Sequence, residues 1–174
     1  MREFRIAHLE DLDAVAAIYG EIHTEIEEGR AVIGWKREIY PVRRTAEGAI
    51  EKGTLYLLLE EGVIRGSAII DQVQLPAYAE GNWKYPAPKE QVLVLHTLAI
   101  SPKAGGRGLG KAFMAFYEEE AKRRGCPYLR IDTNAKNQRA RTMYDHLGYR
   151  EAGIIPCNFQ GLDGVDLVLL EKKI

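Results

Sequence analysis

An apolar run, Val92 to Ile100, leads into a segment with four glycines in six residues, Gly105 to Gly110, and then into a helical pattern. No other stretch restricts the fold as strongly. The run is too short for a confident helix and is bounded by Pro and Gly, which marks a buried strand. Beyond the glycines, Leu109, Ala112, Phe113, Phe116 and Ala121 recur at helical spacing, while Lys111, Glu118, Glu119, Lys122 and Arg123 fall on other faces. A strand therefore feeds a tight turn that opens a helix. Glycine lets backbone approach a ligand closely, and a helix start offers free N–H groups and a positive dipole end. The turn is suited to a phosphate.

Two common phosphate turns fail here on single residues. Gly105 to Lys111 fits G-x-x-x-x-G-K, but Ala112 follows where a triphosphatase needs a Ser or Thr hydroxyl on magnesium. Asp132, late in an apolar stretch, stands where a second magnesium ligand would be sought. The dinucleotide pattern G-x-G-x-x-G fails because Lys111 occupies the place of its last glycine.

The rest of the chain supports one α/β domain spanning residues 1–174. At 174 residues it is long enough to bury a sizeable core. With 24 basic and 25 acidic residues the charges nearly cancel, so nothing favours a nucleic-acid or acidic-lipid surface. Cys126 and Cys157 have no metal-like spacing and suit a reducing compartment. Without an 18-residue apolar run or an apolar leader, the expectation is a cytoplasmic protein with no membrane partner.

Phe4 and Ile6 predict a first strand, and Asp11 caps a helix striped by Leu12, Val15, Tyr19, Ile22 and Ile26. His23 and Glu25 to Glu28 read as its solvated face. A short helix is expected from about Arg43 to Lys52, then a hairpin of strands 55–60 and 63–74 turning at Glu61-Gly62. Residues 75–91 form a long connection rich in Pro and aromatics. Tyr78, Trp83 and Tyr85 in it, together with Trp35, are candidates for a substrate wall. Tyr128 to Thr133 is a further strand, a helix follows over Asn137 to Leu147, and strands 149–155 and 165–170 close the sheet around a loop at 156–164. Cys157, Asn158 and Phe159 in that loop could border an acceptor or fill core.

His96 is the one strongly titratable side chain of the apolar run, and imidazole changes charge near neutral pH. It is a candidate general base or a core histidine, with Glu80 and Glu90 as substitutes. Tyr144 falls on one face with Ala140, Met143 and Leu147.

Pro102 with Gly105-Gly106-Arg107-Gly108-Leu109-Gly110 resembles the acyl-CoA loop of the GNAT N-acetyltransferase superfamily, Gln/Arg-x-x-Gly-x-Gly/Ala. Gly108 and Gly110 fill the small positions, but Gly105 replaces the usual Gln or Arg, with Arg107 available for the missing charge. Downstream, Asn-x-x-Ala-x-x-hydrophobic-Tyr-x-x-hydrophobic-Gly-aromatic, from Asn137 to Tyr149, resembles the second GNAT signature. The strand Leu95-His96-Thr97-Leu98-Ala99-Ile100 before Ser101-Pro102 is similar to the family's equivalent strand.

The resemblance implies a mixed, mostly antiparallel central sheet flanked by helices, and acetyl-CoA as cofactor. Its diphosphate would lie on Gly105, Gly106, Arg107, Gly108, Leu109, Gly110 and Lys111. Backbone at Leu98, Ala99 and Ile100 would hold the pantetheine arm, with Asn137 and Tyr144 beside it. Tyr144 would protonate the departing thiolate, and His96 would take the amine proton directly or through water. The implied activity is direct acetyl transfer to an amine of a small molecule or peptide, without metal, in a protein able to pair as a homodimer. Two alternatives are a catalytically silent CoA-binding sensor or regulatory domain, and a nucleotide-binding P-loop-like protein.

Overall fold

A computed structural model describes all of residues 1–174. Seven strands form one sheet: β1 (Arg2–Ile6), β2 (Leu55–Glu60), β3 (Val63–Asp71), β4 (Val92–Ile100), β5 (Tyr128–Asn134), β6 (Arg150–Phe159) and β7 (Leu162–Lys173). Their spatial order is β1-β2-β3-β4-β5-β7-β6. Every pairing is antiparallel except β4 with β5. That parallel pair is the strand–turn–helix–strand unit read from the glycine segment, because parallel neighbours need a crossover.

The helices are α1 (Leu12–Glu27), α2 (Arg43–Glu51), α3 (Leu109–Arg124) and α4 (Gln138–His146). One face of the sheet takes α3 and α4: Phe113, Met114 and Tyr117 pack on Leu93, Leu95, Leu129 and Ile131. The other takes α1 and α2 over Leu55, Leu57 and Leu59, continued by Tyr40 and Tyr78 over Val92 and Val94. With β4 buried on both faces, its sequence is a continuous apolar run rather than an alternating one.

Two features of β4 shape everything downstream. Its pairing with β5 runs only from Val92↔Tyr128 to Leu95↔Ile131, although both strands continue, so the strands part beyond that point. On the β3 side, Ile69 faces His96 and Ser67 faces Ala99, so three residues of β4 span two of β3. Thr97, at φ 52°, sits in this bulge. The extra residue turns Ala99 toward the α1 cluster.

Three expectations need correcting. The loop predicted at 156–164 is the end of a β-hairpin: β6 and β7 pair through Phe159↔Leu162 around Gln160-Gly161, at φ 52° and 86°. Pro156 is tolerated there because β6 is the edge strand. His23 is not on a solvated face; it is 2% exposed and its Nε2 lies 2.8 Å from the Pro41 carbonyl oxygen, in the chain that covers α1. Finally, β3 ends at Asp71 rather than near residue 74. The hairpin turn Glu61-Gly62 is as predicted, with φ of 49° and 75°.

Candidate active site

The parted ends of β4 and β5 open into a cavity of about 670 Å³ that reaches from the glycine turn to the α1–α2 connection. At the turn end, Gly106 and Gly108 have φ of 76° and 69°, and an added Cβ would meet nothing within 4 Å at either. Conformation, not crowding, is what demands glycine there. Gly110 answers to a different constraint: a Cβ would lie 3.2 Å from Met143 Sδ, so it lets α3 sit close to α4.

The turn presents an uncommon donor set. Gly105 N–H bonds the Pro102 carbonyl at 3.2 Å and Ala112 N–H the Gly108 carbonyl at 3.0 Å, but the six amides from Gly106 to Lys111 have no acceptor within the protein. Consecutive unpaired amides at the start of a helix favour an anion. Of the nearby cations, Lys111 and Arg139 line the cavity without an ion pair. Arg107 also lines the cavity but is already paired: its Nη1 lies 2.9 Å from Glu60 Oε2, and this pair holds Glu60 below the usual carboxylate range. Arg141 is likewise committed, to Glu151 at 2.8 Å. The residues present therefore fit a diphosphate held by backbone, with Lys111 and Arg139 near its ends.

Along the parting, Leu98 and Ile100 line the cavity, whereas the Ala99 side chain belongs to the α1 cluster. Beyond Leu95 the β5-facing edge of β4 has no strand partner, leaving main-chain groups for an extended ligand. Asn137 caps α4, its Oδ1 accepting from Ala140 N–H at 3.2 Å, and it also borders the cavity.

Tyr144 comes from the middle of α4, 4% exposed, and its side chain reaches the cavity. Its hydroxyl makes no hydrogen bond within the protein. Burial, reinforced by the charge of Asp132, raises its pKa well above that of an ordinary phenol. It is a neutral donor at any physiological pH.

His96 does not line the cavity. Its Nε2 lies 3.0 Å from Asp71 Oδ1, and its side chain is 14% exposed. Burial works against the imidazolium, but its hydrogen bond to the Asp71 carboxylate and the charges of Asp132 and Asp71 outweigh it and raise the pKa. Glu80 and Glu90 lie outside the cavity as well. Two carboxylates do line it, Glu25 on α1 and Asp132 on β5. The Tyr78 hydroxyl donates to Asp132 Oδ2 at 2.7 Å, and burial raises the Asp132 pKa against the influence of His96 and Tyr78. The sequence offered Asp132 only as a magnesium ligand; what brings it to the cavity is its position one residue beyond Ile131, where the β4–β5 pairing ends.

Of the aromatic candidates, Trp35 lines the cavity; Tyr78, Trp83 and Tyr85 do not. Tyr78 is 2% exposed on the inner side of the 75–91 segment, Trp83 stacks on Arg130 at 4.0 Å, and the main chain at Lys84 and Tyr85 donates to the buried Glu171. That segment is a cover for the sheet, fixed by charges that sequence alone cannot pair. Phe159 does line the cavity, as do Tyr40 and Leu162, whereas Cys157 and Asn158 do not.

Comparison with known proteins bears on this geometry. The profile of the Acetyltransferase (GNAT) family matches residues 15–149. The chain belongs to this family. It is an acyl-CoA-dependent N-acetyltransferase, and both signatures, the turn and α4, fall inside the matched residues. It is 29% identical over 128 residues to the 5-NmdU N-acetyltransferase of Pseudomonas phage PaMx11, covering 74% of this chain and 75% of that protein. A GNAT-family acetyltransferase structure from Streptococcus agalactiae superposes with a TM-score of 0.83 at 26% identity, covering 99% of this chain and 95% of that one. A Salmonella typhimurium structure containing its cofactor acetyl-CoA shares the fold at a TM-score of 0.68 and 17% identity, covering 99% and 94% of the two chains. No helix of this GNAT chain is long and apolar enough to cross a membrane.

Proposed function

We propose that the protein transfers an acetyl group from acetyl-CoA directly to the amine of a small molecule or peptide, with Tyr144 as the acid. The observation that carries this reading is a buried hydroxyl, free of protein partners, in the same cavity as six unpaired amides. When bound, acetyl-CoA supplies the activated thioester. The amides of Gly106 to Lys111 bind its diphosphate, and Lys111 and Arg139 neutralise remaining charge. The unpaired edge of β4 at Leu98 to Ile100 orients the arm along the parting, and an amide there would donate to the thioester carbonyl. Tyr144 holds a proton that burial keeps in place until a thiolate develops beside it. His96 acts on proton removal from behind the cavity wall rather than in contact with the amine.

Tyr144→Phe tests this. The lost hydroxyl has no protein partner, so thermal stability should stay within about 0.5 kcal/mol. Turnover, followed as thiol release across a panel of amines, should fall roughly 10²- to 10⁴-fold. Calorimetric affinity for acetyl-CoA should hold. Undiminished turnover removes Tyr144 from the chemistry.

A further inference from the structure

We propose that Asp132 receives the ammonium of the acceptor, and that the acceptor is a cationic amine on an apolar or aromatic body bearing no carboxylate. This deepens the acetyltransferase reading above and rests on it. The cavity has two chemically distinct ends. At the turn end stand the unpaired amides with Lys111 and Arg139. The other end is walled by Trp35, Tyr40, Phe159, Leu162 and Val165. The Tyr40 ring is held edge-on between Trp35, at 6.2 Å between ring centres, and Phe159, at 5.2 Å, while its hydroxyl meets Thr97 Oγ1 in the bulge. Rigid aromatic walls of this kind favour an apolar body or a cation over a ring face.

Charge within this end is one-sided. Asp132 Oδ2 is taken by Tyr78, but Oδ1 has no donor within the protein. The other carboxylate on the lining, Glu25, is spent on Arg30, which grips it through Nε and Nη2 at 2.9 and 2.8 Å. Arg30, the basic residue of the α1–α2 wall, also contacts Glu28, so its charge is already matched by two carboxylates. A substrate ammonium therefore meets a half-satisfied carboxylate, whereas a substrate carboxylate meets Asp132 with no unpaired cation on the lining at this end. Behind the wall, His96 is tied to Asp71 Oδ1, which also accepts from Val73 N–H at 2.9 Å. His96 is thus a positioning residue whose charge bears on Asp132.

The proton balance follows. Of the two protons the nitrogen loses as the C–N bond forms and the C–S bond breaks, one leaves through Asp132 to solvent. The other replaces the proton that Tyr144 gives to sulfur. The groups whose titration bears on Asp132 are His96 on β4, Tyr78 in the covering segment, Tyr40, Tyr144 on α4 and Cys157 on β6.

The test compares 2-phenylethylamine with phenylalanine as acceptors for the full chain, by thiol release with acetyl-CoA, alongside calorimetric titration of acetyl-CoA. The amine should exceed the amino acid roughly a hundredfold in kcat/KM. Asp132→Asn, which keeps an acceptor for Tyr78, should lower kcat/KM for the amine roughly 10²- to 10⁴-fold and remove the ascending limb of its pH profile, with acetyl-CoA affinity preserved. Equal use of amine and amino acid, or an active Asp132→Asn with an unchanged pH profile, overturns the inference. So does acetyl-CoA binding without turnover of the amine, which leaves the coenzyme site standing; failure to bind acetyl-CoA overturns both. Because the acceptor comparison uses the unaltered protein, misfolding of the variant does not shelter the idea.

Discussion

Gly34 lies between Ile33 and Trp35 on the cavity wall, and its replacement by alanine is the most demanding local test of this architecture. Its φ is 89°, and a Cβ built there would fall 2.2 Å from Asn134 Nδ2, 2.7 Å from its Cγ and 3.3 Å from its Cβ. Asn134 cannot simply swing aside, because its Oδ1 accepts from Lys136 N–H at 2.9 Å in the turn that follows β5. Left-handed backbone in a non-glycine residue costs about 1–2 kcal/mol. Losing the Asn134 hydrogen bond costs about 1 kcal/mol, and forcing its side chain off a rotamer about 0.5–1.5 kcal/mol. Gly34→Ala should therefore cost about 3 kcal/mol, or about 6–12 °C in melting temperature for a chain of this size. A double-mutant cycle with Asn134→Ala separates the parts. The second change removes the clash but not the backbone strain, so roughly 1–2 kcal/mol of coupling should appear. A loss under about 1 kcal/mol, or simple additivity of the two changes, would refute the claim that these two segments brace one another across the parting.

Two further outcomes can be stated. Gly108→Ala places a Cβ in open space at φ 69°, so its cost should be about 1–2 kcal/mol from backbone handedness alone. By turning the adjacent amides it should weaken acetyl-CoA binding at least about tenfold in calorimetry, and an unchanged affinity would mean those amides do not hold the ligand. Glu120 is buried on α3 and hydrogen-bonded to Arg123 and Arg124, which hold its carboxyl down at about 2. Because the folded value lies below the unfolded one, this stabilisation is present above about pH 4.5 and fades as pH falls toward 2. Urea melts of Glu120→Gln should show a deficit on the order of 2 kcal/mol at neutral pH that shrinks on acidification, and a constant deficit would disprove the ionic origin.

How much of this was legible in the sequence differs by kind of interaction. The limits of β4, the start of α3 and the Glu61-Gly62 turn all followed from local rules, because strand period, helix period and turn chemistry act within a few residues. The glycine turn was legible for the same reason. What escaped was set by partners distant in sequence. Arg107 was a reasonable phosphate ligand until Glu60, on a strand far away in the chain, claimed it. His96 and Asp132 were both visible, but which of them faces the cavity depends on the β4 bulge and on where β4 and β5 part company. The aromatic segment at 75–91 was read as a wall when its charges anchor it as a cover, since the buried pairing of Glu171 with its main chain leaves no trace in composition. Phe159 was placed in a loop, and only the longer β6–β7 hairpin carries it to the cavity.

The β4–β5 junction has a mechanical meaning. Four residue pairs, Val92↔Tyr128 to Leu95↔Ile131, are the only strand pairing between β1–β4 and β5–β7, with α3 packed across both halves, while antiparallel ladders run within each half. The sheet is thus built as two plates meeting at a short seam. A change of a few degrees at the seam would resize the gap for the acceptor and hardly disturb the glycine turn, which rides with the first plate. Variation among relatives in what they acetylate therefore has an inexpensive route: residues that set the angle of the seam, none of which need ever touch a substrate.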